Sequence, residues 1–295
     1  MRKIICIIAA ILCCVFLPFT VNAENIDIPE DFEYKTTEDG SCILTGYKGT
    51  GEMIIPDGVT EIGRSAFEDR TDITKVVIPS SVKVIRNRAF CSCENLTEVE
   101  FSDGLETICE DAFAFTGIKS VILPDSVKSI ESAAFHRCDC KEVKLPDGLT
   151  VITESCFEYC TFLEDITFPS ELKKLEDRAF MDCSGAKIVL PEGVTYLGKL
   201  SLARVTNIHF PTTITYFADY FMGPPNDLRE YRLTTPKYNP AYVVHLGKYG
   251  EITYTEQTQE QFMEAVSECY KKKAFIDMSF DGIYEILVLK DNGYG

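Results

Sequence analysis

Tryptophan is absent from the sequence, and histidine occurs only three times in 295 residues. Because imidazole is the commonest metal ligand among side chains, this scarcity argues against a histidine-rich metal site. Basic residues are also few: 29 Lys and Arg against 46 Asp and Glu give a formal net charge of −17. So acidic a chain argues against nucleic acid and anionic lipid as default partners.

Long apolar runs are missing except at the start of the chain. Ile4–Phe19 holds about 16 mostly apolar residues, fewer than the roughly 20 that a membrane-spanning helix needs. The run follows two basic residues and precedes Val21 and Ala23, a layout that predicts a cleaved export signal over residues 1–23. An uncleaved anchor is the alternative. We expect a mature chain without a transmembrane span, either secreted or held at the cell surface.

Familiar catalytic signatures are missing too, since no Gly-x-Ser-x-Gly, P-loop or His-Glu-x-x-His motif occurs. What the sequence does have is a repeat with steps of 20–23 residues. Proline or its substitute marks each unit: Pro56, Pro79, Ser102, Pro124, Pro146, Pro169, Pro191 and Pro211. Eleven residues later comes a phenylalanine in six of the units: Phe67, Phe90, Phe113, Phe135, Phe157 and Phe180.

Each repeat is too short to bury its own apolar face, so stability must come from stacking on its neighbours. Alternating apolar residues before the proline predict a strand, which the proline ends because it cannot donate to a ladder. A second short extended piece follows, and then a short helical or 3₁₀ turn that carries a small residue and the phenylalanine. This predicts a mainly β solenoid of about eight coils over residues 53–223, with an N-terminal cap over residues 24–52.

The repeat motif resembles a known family. Ile78-Pro79…Val82…Ile85…Ala89-Phe90…Cys93 is similar to the BspA-type bacterial surface leucine-rich repeat, and the stretch from Phe32 to Gly49 is similar to its N-terminal lead-in. The resemblance covers about residues 32–222. It implies a curved right-handed leucine-rich repeat solenoid that serves as an extracellular binding or adhesion scaffold.

The outward positions of the predicted strands offer a ligand-binding face of mixed charge with a few aliphatic side chains. Solenoids present such extended surfaces to their partners, although a plain solvated face is the alternative. The candidate residues are Val77, Glu98, Glu100, Ile122, Glu142, Lys144, Asp165, Thr167, Lys187 and Val189.

Cysteines form a column of their own fourteen residues after the repeat anchor, at Cys93, Cys138, Cys160 and Cys183. We favour a reduced, buried ladder, while disulfides Cys138–Cys160 or Cys160–Cys183 are the alternative in an exported chain. The two Cys-x-Cys pairs lack the spacing of a zinc site. Cys156 stands in the small-residue column and is expected to point inward, which argues against a nucleophile paired with His136.

Residues 224–295 leave the repeat, and their pattern predicts a small α+β region. Within it, Asp277, Ser279, Asp281 and Glu285 are spaced like the oxygen donors of a calcium loop, although the position-12 acid of an EF-hand is missing. A β-turn capped by aspartate is the alternative. No other cofactor is expected.

These observations predict a non-enzymatic scaffold that recognises an extracellular protein or glycan. Two alternatives remain open. The first is an extracellular hydrolase in which the repeats target a catalytic tail, and the second is a structural spacer that binds nothing.

Overall fold

The computed structural model describes residues 28–224, 230–235 and 252–254. These residues form a β-solenoid in which each coil contributes one strand to each of two parallel ladders. The predicted export signal over residues 1–23 lies outside the described residues. In the part of the chain that is described, no helix is long and apolar enough to cross a membrane.

The N-terminal end of the solenoid is covered by an antiparallel hairpin of β1 (Phe32–Thr36) and β2 (Cys42–Tyr47). The rings of Phe32 and Tyr47 stack at 4.6 Å between centroids. Strand β2 then pairs in parallel with β4 (Glu61–Ile62), which joins the hairpin to the first coil. The described part of the predicted cap is therefore continuous with the ladder that it covers.

One ladder, which we call the strand face, is built from the segments that precede each anchor position. Its strands are β3 (Gly51–Ile54), β5 (Ile73–Ile78), β7 (Glu98–Phe101), β9 (Ser120–Ile122), β11 (Glu142–Lys144), β13 (Asp165–Thr167), β15 (Lys187–Val189), β17 (Asn207–His209), β19 (Arg232–Thr235) and β20 (Ile252–Tyr254). The ladder is continuous from β3 to β7 and again from β9 to β20. The N–H of Lys119 donates to the Thr97 carbonyl at 3.1 Å and links the two segments.

The second ladder consists of two-residue strands that follow each anchor. They are β4, β6 (Val84–Ile85), β8 (Thr107–Ile108), β10 (Ser129–Ile130), β12 (Val151–Ile152), β14 (Lys174–Leu175), β16 (Tyr196–Leu197) and β18 (Tyr216–Phe217). Its pairing is interrupted between β10 and β12, where Thr153 Oγ1 donates to the Ile130 carbonyl at 3.1 Å.

The core runs along the solenoid as a column of stacked rings, as the repeat predicts. Phe113, Phe135 and Phe157 are fully buried, with successive ring centroids 5.5 Å apart and ring planes within 3° of parallel. Phe101 and Phe168 approach the column edge-on from the strand face, each at 5.6 Å. Burying one such ring contributes about 1.5–3 kcal/mol, so the column is a major source of stability.

The segment that carries the phenylalanines is not helical, and the expectation of a helical or 3₁₀ turn is wrong. None of the described residues is in a helix. The N–H groups of Ser65 and Phe67 donate to Asn87 and Ala89 in the next coil, while the N–H of Ala66 closes a local turn onto Gly63. Because successive N–H groups donate alternately to carbonyl groups of the next coil and of the same coil, the hydrogen-bond pattern of a helix cannot form.

This alternation requires a left-handed backbone at two positions in each coil. Fifteen non-glycine residues have φ between 52° and 66°: Ser65, Asp69, Arg88, Ser92, Asp111, Phe115, Ala133, Arg137, Ser155, Tyr159, Arg178, Asp182, Leu200, Arg204 and Tyr220. The left-handed conformation costs an L-residue roughly 1–2 kcal/mol, which stacking of the coils must offset.

The strand face continues beyond residue 223, where the sequence predicts the end of the solenoid. Strand β19 pairs in parallel with β17, and β20 pairs with β19. Leu233 of β19 is buried and belongs to the same hydrophobic core as the repeats. At least these parts of the predicted C-terminal region therefore extend the solenoid.

Candidate functional site

The first segment of the strand face is organised around one lysine. Lys75 Nζ lies 3.0 Å from a Glu98 carboxylate oxygen, 2.5 Å from Glu100 and 3.7 Å from Glu52. Its hydrogen bonds to Glu100 and Glu98 raise the pKa of Lys75, and Lys75 in turn lowers the pKa of Glu100. Val77 lies in register with Glu100. Two of the predicted face residues, Glu98 and Glu100, are therefore already engaged with a neighbour.

The second segment of the strand face, from β9 to β20, includes charged side chains that form no ion pair within the described residues. Glu142, Asp165 and Lys187 lie side by side in one row of the ladder. Within the described residues, neither these three side chains nor Lys144 makes an ion pair of 4.0 Å or less. The parallel row contains Ile122, Lys144, Thr167 and Val189. Ile122 and Val189 are 44% and 46% exposed.

A concave site lies on a different surface, formed by the turn segments of four successive coils. We call it the turn-face pocket and define it by Glu94, Phe115, Gly117, Arg137, Asp139 and Tyr159, which line a volume of about 450 Å³. A Cβ atom added at Gly117 would lie 2.6 Å from the Glu94 carbonyl oxygen. Glycine therefore allows the coils to approach closely at the wall of this pocket.

Arg137 is held between two aromatic rings. Its guanidinium carbon lies 5.5 Å from the ring centroid of Phe115 and 5.6 Å from that of Tyr159. Such contacts stabilise a partly exposed cation by about 0.5–1 kcal/mol. Among the described residues, the guanidinium makes no hydrogen bond and no ion pair. Its five N–H donors are consequently oriented by the rings but not used.

His136 supports this arrangement from the adjacent position. Its ring packs edge-on against Phe115 and Tyr159, at 5.2 and 5.7 Å. Nδ1 of His136 is buried, lies 3.7 Å from a Glu158 carboxylate oxygen and has no hydrogen-bond partner in the described region. Burial lowers the pKa of His136, and the charge of Glu158 opposes this effect. The imidazole is thus mainly neutral near pH 7.

The sequence of the coils matches the model of the BspA-type leucine-rich repeat region, in six copies, over residues 19–141 and 128–235. The chain belongs to the BspA-type leucine-rich repeat family. No curated protein matches it significantly.

Two solved structures of leucine-rich repeat proteins are similar to this chain. A leucine-rich repeat protein from Bacteroides ovatus is 23% identical, with 78% of this chain and 68% of that one covered and a TM-score of 0.54. The leucine-rich repeat protein of T. pallidum is 26% identical, with 77% and 99% covered and a TM-score of 0.49. The first likeness supports the solenoid fold.

The cysteines of the BspA-type coils are thiols packed in the core. The sulfur of Cys93 lies 3.0 Å from the Phe67 carbonyl oxygen of the preceding coil, and Cys160 lies 3.2 Å from that of Phe135. The same contact recurs at Cys138 and Cys183. The nine cysteines among the described residues are unpaired. The predicted ladder is therefore present, and its thiols donate to backbone carbonyls instead of bonding to each other.

The remaining sequence candidates do not assemble into a reactive site within the described residues. Cys156 is buried, which raises the pKa of its thiol to about 12, so thiolate is scarce at neutral pH. No group of three or more His, Cys, Asp or Glu residues there could hold a metal ion. The predicted calcium donors Asp277, Ser279, Asp281 and Glu285 lie outside the described residues.

The turn-face pocket was not among the sequence predictions, although the sequence carries a signal for it. Thirteen residues after the anchor, the column reads Asp69, Ser92, Phe115, Arg137, Tyr159, Asp182 and Arg204. An aromatic–basic–aromatic run in three successive coils is visible there once the repeat is aligned. Repeat periodicity alone did not show that this column faces solvent.

Proposed function

We propose that the protein is an extracellular recognition scaffold whose strand face binds a protein or glycan. Membership of the BspA-type family supports a repeat scaffold. Export rests on the predicted signal over residues 1–23, and attachment of the organism to a surface is the role that such a scaffold would serve outside the cell. No catalytic step is included, because the described residues present no activated nucleophile.

The observation that carries this proposal is the unengaged row on the second segment of the strand face. Glu142 and Asp165 face each other in register, and like charges directly opposite on a sheet are destabilising. Lys187 continues the row without reaching Asp165 within ion-pair distance. The exposed, unpaired charges beside the aliphatic side chains of Ile122 and Val189 do not stabilise the fold. They are available to pair with opposite charges on a partner surface.

A binding array of extracellular matrix proteins and glycans tests the proposal with the full chain. The double variant Glu142→Lys/Asp165→Lys reverses the charge of the row. Asp125→Lys/Asp147→Lys is the matched control, because these exposed aspartates lie in the turns after two repeat prolines. We expect saturable binding that the first variant weakens about tenfold or more, the equivalent of 1.4 kcal/mol, and that the control retains.

Two results would contradict the proposal. A structural spacer would give no saturable signal with any member of the array. If the repeats instead target a hydrolase, incubation with peptide and glycan substrates would show turnover. Deletion of residues 255–295, which leaves β19 and β20 in place, would abolish that turnover.

A further inference from the structure

The turn-face pocket has a composition that the fold does not require. Phe115, Arg137 and Tyr159 all occupy left-handed positions, with φ of 59°, 54° and 61°. Asparagine, aspartate and glycine tolerate this conformation best, and the equivalent residues of other coils include Asp69 and Asp182. Large side chains also occur at left-handed positions elsewhere, for example Arg88, Leu200 and Arg204. What distinguishes the pocket is the run of aromatic, basic and aromatic side chains at one position of three successive coils.

The same three side chains are exposed instead of buried in the core. Phe115 and Tyr159 are 41% and 38% exposed, and Arg137 between them is exposed as well. Tyrosine and arginine are the residue types that most often dominate binding energy at interfaces. Because His136 packs edge-on against both rings, the aromatic side chains are held in place before any ligand arrives, which reduces the entropy lost on binding.

The charges around the pocket determine which class of ligand it fits. A cationic ligand would compete with Arg137, which already occupies the space between the two rings. An anionic ligand would meet the carboxylates of Glu94 and Asp139 on the same walls. Lys119 lies 2.9 Å from Asp139, so two acidic and two basic groups balance. The pocket is therefore suited to an uncharged ligand.

The same walls fit a ligand that is rich in hydroxyl groups and has an apolar face. The guanidinium of Arg137 supplies unused donors, the carboxylate of Glu94 supplies acceptors, and the exposed rings supply flat apolar surface. A pyranose ring offers hydroxyls at its edge and C–H groups on its faces. The volume of about 450 Å³ lies within the range of small-ligand sites.

We propose that the turn-face pocket binds a pyranose unit of an uncharged glycan, with Arg137 and Glu94 bonded to its hydroxyls and its C–H groups against the exposed surface of Phe115 or Tyr159 that Arg137 leaves uncovered. This site lies on a different surface from the strand face and does not depend on the function proposed for that face. The protein then has two separate binding surfaces.

Titration calorimetry of the full chain with uncharged oligosaccharides of glucose, galactose, mannose and N-acetylglucosamine, and with sialylated and uronic acid oligosaccharides for comparison, tests this proposal. We expect at least one of them to bind saturably, with Tyr159→Ala and Arg137→Ala each weakening the affinity about tenfold. Arg137→Lys keeps the charge but loses the planar donor fork, and should also weaken binding.

Two control variants make the outcome specific. Tyr220→Ala removes a tyrosine that is also exposed and left-handed but lies outside the pocket, and it should bind as the unmodified chain does. Glu142→Lys/Asp165→Lys should likewise retain sugar binding, which separates this site from the strand face.

Three results would overturn the proposal. The first is no saturable binding of any uncharged sugar by a chain whose thermal unfolding shows it to be folded. The second is binding that Tyr159→Ala and Arg137→Ala leave unchanged. The third is a preference for sialylated or uronic acid oligosaccharides, which would show that Arg137 selects an anion.

Discussion

The rings of Phe113 and Phe135 lie parallel, with an interplanar angle of 3° and centroids 5.5 Å apart, although 22 residues separate them in the chain. Each ring covers a face of the next, so no single coil completes its own core. Cooperative unfolding should follow, because the loss of one ring exposes the coils on both sides.

We predict that Phe135→Ala lowers the free energy of unfolding by about 3–5 kcal/mol, since it leaves a cavity between two packed rings. Guanidinium chloride unfolding followed by circular dichroism measures this change. Phe162→Ala is the control, because Phe162 is 55% exposed and its removal should cost less than about 0.5 kcal/mol. Equal effects of the two substitutions would show that the ring column is not the core.

The left-handed turn positions predict opposite effects for two neighbouring alanines. Ala133→Gly relieves a residue with φ of 55° and should stabilise the protein by about 0.5–1 kcal/mol. Ala134→Gly removes a buried methyl group and should destabilise it by about 1–2 kcal/mol. Chemical unfolding of both variants would reveal the difference, and destabilisation by Ala133→Gly would argue against the alternating backbone.

The buried thiols should resist alkylation in the folded protein. Burial raises the pKa of Cys93 and Cys156 to about 12 each, so almost no thiolate forms at pH 8. Cys109 is partly exposed and should react first among the described cysteines, but slowly, because its pKa is raised to about 11. Iodoacetamide labelling with mass spectrometry, in buffer and in guanidinium chloride, locates the sites. Rapid labelling of Cys93 in buffer would contradict its burial.

The protonation of His136 should make the stability of the folded protein depend on pH. Burial lowers its pKa, Arg137 adds to the effect, and Glu158 and Asp111 oppose it. The unfolded chain therefore binds the proton more readily than the folded one, so this contribution to stability is complete above about pH 6.5 and falls as the pH drops below that value. NMR titration of the His136 ring should give a midpoint below 6.5, and a midpoint above 6.5 would show that Glu158 dominates.

The repeat makes the strand face predictable, because a fixed period sets the register of every parallel pair. The pairing of Glu142 with Asp165 and of Lys75 with Glu98 follows from alignment of the anchors alone. The turn segments could not be predicted in the same way. Their spacing of small and aromatic residues resembles that of a helical turn. The carbonyl group that accepts each N–H hydrogen bond, however, depends on the neighbouring coil.

The turn-face pocket and the end of the solenoid could not be predicted from the repeat either, because both depend on contacts between coils. Arg137 lies between Phe115 and Tyr159 because the coils stack and the side chains thirteen residues after each anchor point outward. The period of the repeat does not specify that orientation. Strand β19 is followed by a proline anchor, Pro236, but the step from Pro211 is 25 residues and Thr235 replaces the apolar residue before the anchor. Its pairing with β17 is therefore not evident from a period of 20–23 residues.

Nuclear Overhauser contacts between selectively labelled phenylalanine rings test the stacked column most directly. The structure predicts contacts from Phe135 to Phe113 and to Phe157, each at 5.5 Å between centroids, and none between Phe113 and Phe157. Absence of the two neighbouring contacts, or a direct contact that skips a coil, would contradict the solenoid on which both proposed binding surfaces depend.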